Sequence, residues 1–98
     1  MPAPPPLTLR RATRADALTL ANIHIAARAA AMPWLRVVHS ADETRWWMTQ
    51  VVVPRLEVWI AERAGAVLGF AALQDEWLEH LYVDPSAWRV GAGTLLLN

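Results

Sequence analysis

The chain has 98 residues, 55% of them hydrophobic, with nine basic side chains balanced by nine acidic ones and no cysteine. This is one small globular domain, and its neutral balance supports neither nucleic-acid binding nor a polybasic membrane contact. The lack of cysteine excludes disulfides, thiolate zinc sites and a cysteine nucleophile.

No apolar run reaches the roughly 18 residues of a membrane span. The opening MPAPPPL lacks the basic and apolar regions of a signal peptide, so a cytoplasmic protein is expected. Residues 1–6 read as a proline-rich leader and 7–98 as the domain. Leu7 to Ala12 is a short first strand. Thr13 is an N-cap with Asp16 three residues on, and the helix it opens runs to Met32, where Pro33 ends it. Leu18 and Ile25 lie a heptad apart on that helix and define the face expected against a sheet.

Ser40 and Glu43 form a second capping box, opening a helix through about Val51, with Pro54 as the next break. Leu56 to Glu62 alternates Leu56, Val58 and Ile60 against Glu57, Trp59 and Ala61, a strand with two unlike faces. A turn at Ala64-Gly65 leads to its antiparallel partner, Ala66 to Gln74, in which Gly69 marks a bulge or a close approach. Asp75-Glu76 turns into a last strand, Trp77 to Val83, which Asp84-Pro85 ends. Strict alternation would set Trp77, Glu79, Leu81 and Val83 on one face of it, and Leu78, His80 and Tyr82 on the other. His24, His39 and His80 show no metal-ligand spacing and read as structural or surface residues.

Beyond that strand come Gly91-Ala92-Gly93 and a helix start at Thr94 and three leucines. Strand, glycine loop and helix N-terminus make a phosphate-binding arrangement, because backbone N–H groups converge where no side chain blocks a ligand. It is neither of two common nucleotide loops. Leu96 stands where a Rossmann loop has its third glycine, and the chain has no lysine for a P-loop.

The stretch LYVDPSAWRVGAGTLLL resembles the acetyl-CoA-binding core of the GNAT superfamily of N-acetyltransferases. There a strand L-x-V-x-P leads to a loop [Q/R]-x-x-G-x-[G/A] and a helix beginning x-x-L-L. Leu81, Val83, Pro85, Gly91, Gly93, Leu96 and Leu97 fall on that pattern, while Trp88 departs from the usual glutamine or arginine. The resemblance implies an α+β fold in the order β-α-α-β-β-β-glycine loop-α, a mainly antiparallel sheet with helices packed on it.

It also implies acetyl-CoA as donor and an amine of a small molecule or peptide as acceptor. Val90, Gly91, Ala92, Gly93 and Thr94 would bind the pyrophosphate, flanked by Trp88 and Arg89. Main-chain groups of Leu81, Tyr82 and Val83 would pair with the pantetheine arm. Glu79, on the strand where such proteins often carry their base, would take the proton. Trp34, Trp46 and Trp47 lie where the acceptor wall is expected.

The resemblance covers Leu7 to Asn98 but only the N-terminal part of such a domain, so a fragment without the last strands is expected. An open edge at Trp77 to Val83 would then invite a second copy of the chain. The alternative is a non-catalytic coenzyme A-binding or interaction module.

Overall fold

The alternation along Val58, Trp59 and Ile60 dictates a strand with one face in the core, and that strand is central to the sheet. In the computed structural model, which describes residues 6–32, 34, 40–75, 77–88 and 96–97, four antiparallel strands lie in the order β1-β2-β3-β4. They are β1 (Thr8–Arg11), β2 (Glu57–Arg63), β3 (Ala66–Gln74) and β4 (Trp77–Val83). Two helices, α1 (Ala17–Ala31) and α2 (Ala41–Trp47), separate β1 from β2 in the chain. No described helix is long and apolar enough to cross a membrane.

The core is the sheet face carrying Val58, Ile60, Phe70 and Ala72, covered by Ala17, Leu20, Ala21 and Ile23 of α1 and by Met48 and Val52. Leu18, expected on that face, is instead 58% exposed. The helix is apolar nearly all round, so spacing alone does not select a face. Contact runs through Ala17 and Ala21, both buried, whose small side chains let the helix lie close to the sheet.

The segment before α1 is fixed by charge. Arg10 on β1 holds Asp16 through two hydrogen bonds of 2.8 and 2.9 Å, and its Nε lies 3.2 Å from Glu62 on β2. Asp16 also accepts the Thr13 N–H at 2.7 Å, so one carboxylate both ties down the helix start and joins it to the sheet. The Arg10 hydrogen bond holds the Asp16 carboxyl well below the usual carboxylate range, against the opposing effect of burial.

At α2 the capping box forms as expected: Glu43 N–H donates to the Ser40 hydroxyl, and Ser40 N–H to the Glu43 carboxylate, both at 3.1 Å. The helical path does not stop near Val51. It continues through a π turn, Met48–Val52, and a last α turn, Val53–Arg55. Pro54 thus sits inside the final turn rather than breaking the chain before it. The wider π turn just ahead loosens the hydrogen-bond ladder that the proline ring would otherwise foul.

The β2–β3 hairpin turns at Ala64 and Gly65, both at positive φ (52° and 81°). That is the turn geometry that matches the twist of paired strands. Gly69 is needed for space instead. A Cβ there would stand 2.8 Å from the Tyr82 carbonyl and 3.1 Å from Val83 Cα. The irregularity falls beside it, because Ala61 pairs with Gly69 and Glu62 with Val67, which leaves Leu68 as the extra residue.

A second irregularity lies in β4. Ala72 pairs with His80 and Leu73 with Leu78, so Glu79 is an unpaired extra residue. Strict alternation along β4 therefore fails. Cross-strand partners share a face, so His80 and Tyr82 lie with Ala72 and Phe70 on the helix side. Leu78 belongs to the opposite face with Leu73, and Trp77 changes sides with it. The bulge at Glu79 is the physical reason.

Candidate functional site

His24 and Arg28 are one turn apart on α1, Trp46 and Trp47 end α2, and His80 and Tyr82 point from β4 toward both helices. Together with Asp42, Glu43 and Thr44 they line a cavity of about 680 Å³. Its wall is a set of rings. His24 lies 4.4 Å from Tyr82 and 5.4 Å from Trp47, and His80 meets Trp47 edge-on at 5.0 Å. Phe70, wholly buried, stands 5.8 Å behind Tyr82 and ties the wall to the core.

Adjacent helical residues cannot both face inward, and α2 resolves the choice plainly. Trp47 packs against the core, while Trp46 is 64% exposed at the cavity's mouth. Trp34 is described but exposed, and it does not line the cavity. Trp59 lies on the far face of the sheet, donating to Glu57 at 2.6 Å beneath the Arg11 guanidinium.

Burial pushes the His24 imidazole down to about 4, helped by the nearby charges of Arg28 and His80. Its Nδ1 is buried without a hydrogen-bond partner among the described residues. His80 is also lowered by burial, with Glu79 acting against it. Both rings are therefore neutral at pH 7, so each can accept a proton.

This has a consequence for stability. Above pH 6.5 His24 is neutral in the folded and unfolded chain alike; as pH falls toward 4, only the unfolded chain takes up the proton. Stability present above pH 6.5 is thus lost on acidification through that window, by roughly 1–2 kcal/mol once partial exposure is discounted. Asp16 acts only at lower pH, because its stabilising charge persists until the medium falls below the ordinary carboxylate range. Thermal melts at pH 7 and 4.5 should show His24→Gln losing several degrees less than the parent protein. An equal loss would remove His24 as the cause.

On the other side of β4 is the open edge. Asp84 N–H donates to the Leu68 carbonyl at 2.7 Å, which fixes the phase of the ladder. By alternation the main-chain groups of His80 and Tyr82 turn toward β3, and those of Leu81 and Val83 turn outward. No described strand lies beyond them. The Trp88 indole N–H donates to the outward Val83 carbonyl at 2.8 Å. Asp84 accepts from Ser86 N–H and hydroxyl at 2.9 and 2.6 Å, which bends the chain into the turn Pro85–Ala87, whose Ala87 is buried. These bonds from Ser86 hold the Asp84 carboxyl below its ordinary value.

The residues expected to act thus fall into three groups. Leu81, Tyr82, Val83 and Trp88 lie together at the edge, although Tyr82 sends its side chain to the cavity and its main chain to β3. Glu79 is exposed on the bulge and does not line the cavity. Arg89, Val90, Gly91, Ala92, Gly93 and Thr94 lie outside the described residues. Sequence reasoning missed His24 and Arg28 as cavity residues. Two polar side chains one turn apart in an alanine-rich helix are the signal that could have found them.

Several solved structures share this fold. Apo-form YjaB from Escherichia coli matches with a TM-score of 0.76 and 20% identity over 94% of this chain and 62% of that one. The yncA protein of Salmonella typhimurium, solved with its cofactor acetyl-CoA, matches at 0.65 with 25% identity, covering 93% and 58%. The PaiA N-acetyltransferase of Thermoplasma acidophilum, in complex with coenzyme A, matches at 0.71 with 16% identity, covering 94% and 67%. The chain therefore spans less than two thirds of the length of the first two. No curated protein matches the sequence at a significant level. A sequence profile of the acetyltransferase (GNAT) family matches residues 21–98, from the helix that supplies His24 through the strand that supplies His80, and on that match the chain belongs to this family.

Proposed function

We propose that the chain carries the donor edge and acceptor wall of an N-acetyltransferase that uses acetyl-CoA and an amine of a small molecule or peptide. The observation that carries this reading is one strand with two uses: β4 offers outward main-chain groups at Leu81 and Val83 and, on its helix side, the rings of His80 and Tyr82 in a cavity.

Acetyl-CoA, when bound, supplies an acetyl thioester; the amine nitrogen forms the new C–N bond, the C–S bond breaks, and the thiolate leaves. The residues present fit such a donor. An extended pantetheine-like arm can lie along the edge as an added strand, with its pairing centred on Leu81, because Trp88 already serves the Val83 carbonyl. Val90 to Thr94 would hold the pyrophosphate through main-chain N–H groups, with Arg89 supplying a cation. Glu79, exposed beside the cavity, would take the ammonium proton by way of water. Acceptor amines would enter between α1 and α2.

A thiol-release assay with acetyl-CoA and a panel of amines tests the reading. Gly91→Val should weaken acetyl-CoA at least tenfold by calorimetry, since a branched side chain would cover the main-chain donors. Unchanged affinity would remove the cofactor assignment. The second reading, a coenzyme A-binding module without chemistry, draws on the exposure of Glu79; binding without thiol release for any amine would favour it.

A further inference from the structure

The cavity's lining is not neutral toward its guest. His24, Trp47, His80 and Tyr82 surround it with ring faces and edges at 4.4 to 6.2 Å from one another, a wall suited to a flat apolar body. Asp42 already pairs with Arg45 at 2.9 Å, and Glu43 closes the capping box with Ser40. Arg28 is different. It lines the same cavity, near enough to bear on His24, and among the described residues its guanidinium has neither a hydrogen bond nor an ion pair.

From this juxtaposition we infer that the acceptor is an aromatic amine carrying a carboxylate, of which an aromatic α-amino acid is the simplest form. Its ring packs among Trp47, His80 and Tyr82, and its carboxylate meets the Arg28 guanidinium. A guanidinium receives a carboxylate through two parallel hydrogen bonds, and the fork has no competing partner to give up among the described residues. A volume of about 680 Å³ holds such a molecule with room for the amine to reach the β4 side. This inference rests on the N-acetyltransferase reading for the amine's fate, but not for its binding.

Calorimetry on the full chain with three probes tests it: L-phenylalanine, phenethylamine, which lacks the carboxylate, and L-alanine, which lacks the ring. Phenylalanine should bind at least tenfold more tightly than either, the worth of one charge-assisted contact or one buried ring. Arg28→Gln should lower the ratio of phenylalanine to phenethylamine affinity about tenfold. Arg55→Gln, the same charge change on an exposed turn away from the cavity, should leave the ratio at the parental value. The inference is overturned if phenethylamine or alanine binds as well as phenylalanine, if Arg28→Gln leaves the ratio unchanged, or if Arg55→Gln lowers it equally. Acetyl-CoA titrated separately keeps the two readings apart. Loss of donor binding with the amine ratio intact would defeat the enzyme reading alone.

Discussion

Phe70→Ala should lower the unfolding free energy by about 3–5 kcal/mol, the usual cost of emptying an aromatic site in a core. Phe70 is wholly buried at the centre of the core cluster, between the sheet and α1. A domain of this size has roughly 5–15 kcal/mol in hand, so the loss takes much of it. Phe70 also backs Tyr82, whose ring forms the cavity wall 4.4 Å from His24. The milder Phe70→Leu keeps most of the volume and should cost about 1–1.5 kcal/mol, while letting Tyr82 shift. Urea unfolding of both variants gives the comparison. A loss below 1 kcal/mol for the alanine variant would mean that the core does not centre on this ring.

The largest kinetic effect is expected at Glu79. Glu79→Gln keeps the shape but cannot take a proton, so the rate should fall by about 10²–10⁴-fold while the acceptor amine is still protonated. The deficit should shrink as rising pH removes the amine's proton without help, and acetyl-CoA affinity should stay within about twofold. His80→Gln is the necessary companion. His80 lines the cavity, and burial keeps it neutral and able to accept a proton. If the pH-dependent loss follows His80 and spares Glu79, the proton goes to the imidazole, and Glu79 is a solvated charge on a bulge.

Much of this architecture was legible in the chain. The boundaries of β3 and the Ser40–Glu43 cap follow from local rules: alternation, turn residues and a side chain reaching its own helix start. The edge residues Leu81 and Val83 were legible too, through the motif that continues into the glycine loop. What stayed hidden depends on tertiary packing. Nothing in a helix that is apolar all round says that Ala17 and Ala21, rather than Leu18, will meet the sheet. Nor does alternation reveal that an extra residue sits at Glu79, because a bulge is a property of two strands together. The cavity joins residues from α1, α2 and β4, and only the fold brings His24 to Tyr82.

The bulge at Glu79 separates two parts of β4 that a regular strand would couple. Register passes from His80 to Ala72 on one side and from Leu78 to Leu73 on the other, with one residue of slack between. Deleting that residue would let the ladder close without a gap, with Leu78 still opposite Leu73 and Trp77 opposite Gln74, but would leave no slack to take up a change upstream. Lengthening or shortening the β3–β4 hairpin, in contrast, can be absorbed upstream of the slack without turning His80 and Tyr82 out of the cavity. In the language of insertions and deletions, the hairpin is free to drift in length while the site downstream keeps its phase.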